Sequence, residues 1–188
     1  MNGDTRQSGR LAEGTAAGKA QGAGPDLSCG DFDMRIARDG TWYHEGTPIG
    51  RLPLVKLFST VLHKDENGDF WLITPVEKGR IAVDDAPFTA VELTVEGGGP
   101  TQMLSFRTNI DDIVTAGPDH PIRVAEDPAT GEPSPYLLVR DRLEALILRP
   151  VFYQLVELGE ERKVDGRRVL GVSSGGAFFA LGALDDRS

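Results

Sequence analysis

Three groups of residues in this 188-residue chain are of types that do chemistry. Gly171-Val172-Ser173-Ser174-Gly175 has the G-x-S-x-G spacing of a hydrolase nucleophile elbow. That motif lifts a serine on a strained strand-to-helix turn, towards a histidine that follows it in the chain. No histidine occurs after His120, so a catalytic triad at Ser173 is not expected. Asp65-Glu66-Asn67-Gly68-Asp69 invites a calcium loop. Counted from Asp65, the places that need a glycine and a bidentate glutamate hold Phe70 and Val76, and the run reads as a polar turn. His44, His63 and His120 have no partners at metal-ligand spacing, and Cys29 is the sole cysteine, which leaves no CxxC site and no internal disulfide. Asp84-Asp85 and Asp111-Asp112 would point to opposite sides of an extended chain, so neither pair is a ready clamp. These patterns lead us to expect no catalytic residue, no metal and no cofactor.

The third group is cationic. In the stretch Met103–Thr108, alternation puts Met103, Ser105 and Arg107 on one face and Leu104 and Phe106 on the other. The apolar face goes to the core, so Arg107 projects from the opposite side, followed by Thr108 and Asn109. Arg51 and Arg149 stand just before Pro53 and Pro150, prolines that suit helix starts. A helix N-terminus offers unpaired N–H groups and a partial positive charge to an anion. The chemistry implied is recognition of a phosphate or carboxylate. The alternative is that these arginines form surface ion pairs of little energetic value.

Composition narrows the partners. The net charge of −9 argues against a nucleic-acid polymer, which calls for a basic face, but leaves room for one small anion held by a few arginines. Hydrophobic residues at 39% and charged residues at 26% are an ordinary globular balance, while 23 glycines and 12 prolines favour short elements and many turns. No stretch is long and apolar enough to span a membrane, and the N-terminus lacks the apolar segment of an export signal, so a cytoplasmic location is expected.

Residues 1–28 are glycine, alanine and charge, and are expected to be a disordered tail. Residues 29–87 are expected to form an N-terminal α+β module. Asp39-Gly40 and Glu45-Gly46 signal hairpin turns. From Pro53, the spacing of Leu54, Leu57, Phe58 and Val61 predicts an amphipathic helix, which Val55 and Leu62 widen. Asn67-Gly68 then opens a second hairpin, with strands at 70–74 and 80–83. Residues 88–188 are expected to be a β-rich module with one helix: antiparallel strands near 90–96, 103–108, 113–116 and 122–125, then a proline-rich surface loop over 126–135.

The closing third repeats the opening pattern. A shift of 97 residues brings Pro53 onto Pro150, Trp42 onto Val139, Ile49 onto Leu146 and Phe58 onto Leu155. After the helix the offset becomes 98 and Asn67-Gly68 meets Asp165-Gly166. Two hairpin–helix–hairpin units in one chain would bring Arg51 and Arg149 to related positions beside one cleft.

Trp42-Tyr43, Glu45-Gly46, Pro48-Ile49, Leu57-Phe58, Thr74-Pro75-Val76-Glu77-Lys78 and Asp84-Asp85-Ala86-Pro87-Phe88 together resemble a bacterial family known as domain of unknown function 1285. The resemblance spans about residues 31 to 185, densely at first and loosely later. It implies a duplicated, mostly antiparallel α+β core whose C-terminal part is loosely pleckstrin-homology-like. It also implies a nucleotide-like ligand between two halves and a signalling role, with no assigned reaction. On this reading Arg51, Thr74, Lys78, Arg107, Asn109 and Arg149 hold the anion while Trp42, Tyr43 or Tyr153 stacks on a base. The expected function is a non-enzymatic binding module. The alternative is a protein–protein interaction or homo-oligomerisation domain without a small ligand.

Overall fold

The turns establish the local structure. The computed structural model describes residues 28–184; apart from Ser28, the segment expected to be a disordered tail lies outside them. The first strand, β1 (Ser28–Ile36), turns through Asp39-Gly40 into β2 (Trp42–His44), with Ile36 opposite Trp42. Gly40 has φ +86, and the Asp39 carboxylate accepts the Thr41 N–H at 2.9 Å, which closes the reversal. Glu45-Gly46, with φ of 48 and 74, then turns β2 into β3 (Thr47–Pro48). Positive φ at both central residues matches the twist of the flanking strands.

Helix α1 (Leu52–Thr60) follows, with Pro53 as its second residue. The helix is shorter than its apolar pattern predicts. It ends at Thr60, and Leu62 already opens the strand β4 (Leu62–Lys64). Val55 and Ser59 are buried while Leu57 is 61% exposed, because Trp42 stacks on Phe58 at 6.1 Å and so selects which stripe faces inward. Strands β5 (Phe70–Ile73) and β6 (Glu77–Val83) complete an antiparallel meander with β4.

The chain then builds β7 (Phe88–Glu96), β8 (Met103–Thr108), β9 (Ile113–Thr115), β10 (Ile122–Glu126), β11 (Pro133–Arg140) and β12 (Leu143–Ile147). Part of the proline-rich stretch expected as loop is strand: Pro133 and Pro135 pair within β11 against Glu126 and Val124. Helix α2 (Arg149–Glu157) and a last meander, β13 (Glu160–Val164), β14 (Arg167–Ser174) and β15 (Ala177–Ala183), end the described chain.

Two six-stranded sheets result, in the orders β3-β2-β1-β6-β5-β4 and β10-β11-β12-β7-β8-β9. Each joins two antiparallel meanders through one parallel pairing, β1 with β6 and β7 with β12. The expectation of mostly antiparallel sheet holds apart from these two seams. The third sheet, β13-β14-β15, stands by itself.

Repetition of local order is real, and its assembly differs between copies. Meander, helix and meander occur as β1–β3, α1, β4–β6 and again as β10–β12, α2, β13–β15, with a proline at the second residue of each helix. The first and last strands are neighbours in both. β1 and β6 share ladder hydrogen bonds, whereas β15 lies beside β10 outside any common ladder. The meander β7–β9 has no counterpart helix and completes the second six-stranded sheet.

One continuous core runs through both halves, from Ile36, Trp42 and Val55 through Phe88, Leu104 and Phe106 to Val172 and Leu181. Full burial of side chains of this size is worth roughly 1.5–3 kcal/mol each. Polar contacts seal the seam. Asn109 donates Nδ2–H to the Gly40 carbonyl at 3.1 Å and accepts the Thr89 N–H at 3.0 Å. A Cβ on Gly40 would sit 2.6 Å from that Nδ2, so close approach as well as φ demands glycine there. Arg140 of β11 donates to the Ser59 carbonyl at 2.6 Å, satisfying a carbonyl in the last turn of α1.

Candidate functional site

The residues expected to form one site fall into five places. Trp42 is 1% exposed and stacked on Phe58, so its ring belongs to the core and presents no face to a ligand. Tyr43 and Lys78 lie on the outer face of the first sheet, under Arg35 at 5.8 Å and over the Trp71 ring at 4.1 Å respectively. Near them, the Thr74 hydroxyl accepts the Glu77 N–H at 3.1 Å and shapes the β5–β6 turn. Arg107 and Asn109 lie at the seam between halves. Arg107 donates to Glu92 at 2.7 Å and Asp111 at 3.3 Å, and these carboxylates, Glu92 foremost, hold its guanidinium even more firmly protonated. Arg51 is the exposed N-cap of α1. Of the predicted set, Arg149 and Tyr153 line a common concavity.

That concavity is a cleft of about 480 Å³. Its floor is Leu146, Ile147 and Phe152, buried where β12 runs into α2. Arg149 and Tyr153 project from α2, with Tyr153 56% exposed. The opposite wall is Glu132 and Ser134 at the start of β11, and Arg38 reaches in from the β1–β2 turn of the other half. Arg38 and Ser134 were not predicted. Arg38 adjoins the Asp39-Gly40 turn, but its long-range destination leaves no local mark. Ser134 was hidden in the stretch read as loop.

The electrostatics of the cleft rest on two guanidiniums. Arg149 faces Glu132 at 3.6 Å with both side chains well exposed, a pair of little strength. Arg38 meets Asp85 at 3.2 Å and Ser134 Oγ at 3.4 Å. The α2 N-terminus contributes less than its position implies. Pro150 has no N–H, and the N–H groups of Val151 and Phe152 both reach the Leu148 carbonyl at 2.9 Å. The same happens at α1, where Leu54 and Val55 donate to the Arg51 carbonyl at 3.0 and 3.2 Å. Arginine side chains, not a fan of free N–H groups, are therefore the anion-facing elements.

The remaining chemical motifs have structural uses. Ser174, 1% exposed, donates to the Ala116 carbonyl at 2.7 Å and accepts the Leu104 N–H at 2.9 Å, locking the β14–β15 hairpin onto β8 and β9. Ser173 donates to Glu160 at 2.9 Å and receives Arg162 at 3.0 Å, with no imidazole in that set. A Cβ at Gly171 would meet the Phe178 ring at 2.4 Å, so this glycine of the serine motif makes room for an aromatic. Asp65 accepts from Asn67 N and Asp69 N and from Trp71 Nε1, a set of bonds, led by Trp71, that keeps its carboxyl below the usual carboxylate range. Among the described residues, no group of three or more His, Cys, Asp or Glu is placed to hold a metal ion. No helix among them is long and apolar enough to cross a membrane.

Comparison with known proteins adds the family. A crystal structure of a DUF1285 family protein from Silicibacter pomeroyi is 50% identical, covers 88% of this chain and 91% of its own, and superposes with a TM-score of 0.76. A DUF1285 family protein from Shewanella baltica is 28% identical over 67% of this chain and 91% of its own, with a TM-score of 0.52. A search of curated proteins returns no match. Residues 24–86 match the N-terminal domain of unknown function DUF1285, and residues 87–181 match the C-terminal domain of the same protein of unknown function. The resemblance read from Trp42 to Phe88 was to this family, and the chain belongs to it: it is a DUF1285 protein carrying both of the family's domains.

Proposed function

We propose that this chain is a non-enzymatic binding module that takes a small anionic, nucleotide-like ligand in the cleft between its halves. The observation that carries this reading is the pairing of Arg38 and Arg149, from the two halves, across a concavity of about 480 Å³ beside the exposed ring of Tyr153. That volume lies in the range of small-molecule sites. Two weakly held guanidiniums favour a phosphate or carboxylate, and a half-free tyrosine offers a stacking surface for a base. Ser134 adds a hydroxyl that donates or accepts. Of the residues first assigned to the ligand, Arg149 and Tyr153 keep that role. Arg51, Thr74, Lys78, Arg107, Asn109 and Tyr43 lie elsewhere. A module that binds without turnover acts as a sensor, and a signalling role belongs to this proposal.

Thermal melting against a panel of nucleotides tests it. Ligand at 100 times its dissociation constant stabilises by about 2.7 kcal/mol, which for this size raises Tm by roughly 5–11 °C. Arg149→Ala should reduce the shift by about half or more, and Arg107→Ala should leave it intact. A panel that stays flat at millimolar nucleotide overturns the reading. A protein-interaction surface is the alternative reading: the three most exposed large apolar side chains among the described residues, Val76, Ile113 and Leu57, lie in the β5–β6 turn, on β9 and on α1. Concentration-dependent sedimentation would reveal it.

A further inference from the structure

Arg38 lines two hollows at once. One is the cleft just described. The other lies beside it and is walled by Asp84, Asp85, Glu126, Asp127 and Tyr136. Within this second hollow Asp85 sits on the connection between β6 and β7, the segment that joins the two halves. Its carboxylate is well anchored on the far side. Tyr136 donates its hydroxyl to Oδ1 at 2.7 Å, and Tyr136 is itself covered by Arg123 at 4.3 Å, which Glu144 holds through two bonds of 2.6 and 2.7 Å. The Arg38 side chain is 66% exposed and Asp85 only 17%. Asp85 is thus the fixed member of the pair and Arg38 the movable arm, with a carboxylate on one side and the cleft on the other.

We infer that Arg38 is a switch between Asp85 and the ligand: an anion entering the cleft competes with Asp85 for the guanidinium and releases the β1–β2 turn from the inter-half connection. This rests on the cleft being an anion site. Its consequence is that occupancy is reported at the seam between halves, and that Asp85 sets the affinity by holding Arg38 back. Asp84, next in the chain, supplies the control. It carries the same charge in nearly the same place, but its carboxylate is held by Arg35 on β1, and it does not engage Arg38.

The test is isothermal titration of the full chain with inorganic pyrophosphate and with ADP, in wild type, Asp85→Asn, Arg38→Ala, the double variant of these two, Asp84→Asn and Arg149→Ala. Asp85→Asn should tighten binding roughly two- to fivefold, the value of a partly exposed ion pair. Arg38→Ala should weaken it, and in the Arg38→Ala background Asp85→Asn should have no further effect. An equal gain with or without Arg38, or an equal gain from Asp84→Asn, means that a general field acts on the cleft and overturns the switch. If wild type binds and Arg149→Ala abolishes binding but Arg38→Ala is silent, the switch falls while the cleft stands. If neither probe binds wild type at millimolar concentration, the cleft reading falls and the switch with it. Far-ultraviolet circular dichroism checks that each variant is folded.

Discussion

Arg140→Ala should be among the most destabilising changes to a charged residue in this molecule. Arg140 emerges from β11 and donates to the Ser59 carbonyl at 2.6 Å, lies 3.5 Å from Asp112 and covers the Phe88 ring at 5.1 Å. Ser59 is buried, and the substitution takes from its carbonyl the charged donor at the end of α1. A charged hydrogen bond of this kind is worth about 1.5–3 kcal/mol. A cation at a helix C-terminus adds about 0.3–1 kcal/mol at an exposed site. Part of both is the same interaction and the side chain is about one-third exposed, so the lower end applies: a loss of about 2 kcal/mol, or roughly 4–8 °C in Tm. Because one core runs through both halves, a single cooperative transition is expected, and urea denaturation gives the free energy directly. Arg142→Ala is the matched control. Arg142 also bridges the halves, to Glu66 at 3.2 Å, but with side chains 52% and 86% exposed, and its loss should fall within about 0.5 kcal/mol. Equal effects of the two substitutions, or a change below about 0.5 kcal/mol for Arg140→Ala, would refute the view that α1 is anchored through its C-terminal carbonyl.

Further expectations concern the same seams. Ser174→Ala should cost about 2 kcal/mol, since it leaves the buried Leu104 N–H and Ala116 carbonyl unmatched, whereas Ser173→Ala should be nearly neutral; denaturant midpoints decide. Asn109→Ala should cost about 1–3 kcal/mol through the unpaired Thr89 N–H and Gly40 carbonyl, and Gly40→Ala should be destabilising in the same melting assay because it meets both a positive φ and Asn109. Acid should weaken the Lys56–Asp111 contact. Lys56 above all, with help from Arg107, holds the Asp111 carboxyl below its ordinary value. A lowered folded-state pKa contributes stability that is present above the unfolded value, near pH 4, and is lost as pH falls through the folded one. Asp111→Asn should therefore flatten the acid limb of a stability-against-pH curve and leave the neutral region little changed in slope.

What could be read from the chain depended on whether a local rule was decisive. Asp39-Gly40, Glu45-Gly46 and Asp165-Gly166 marked true reversals because positive φ is costly for most other residues. Pro53 and Pro150 marked both helices and fixed the register of the repeat, although each is the second helical residue and not the first. Alternation placed Leu104 and Phe106 inward and Arg107 outward, as found. The extent of α1 was not local information, since the stack of Trp42 on Phe58 chooses its inner stripe. Alternation says that Trp42 and Tyr43 point apart, and only the packed sheet decides that Trp42 is the buried one. The parallel seams and the meeting of residues 38, 134 and 149 are long-range outcomes. No spacing in the sequence encodes them.

The central claim is that the cleft between Arg38 and Arg149 holds a small anion. Isothermal titration of ADP into wild type and Arg149→Ala addresses it most directly. We predict saturable binding to wild type and at least a tenfold weaker dissociation constant for Arg149→Ala, about 1.5 kcal/mol, the lower end for a charged hydrogen bond. Identical isotherms for the two proteins, or no heat from wild type up to millimolar ADP, would contradict the account.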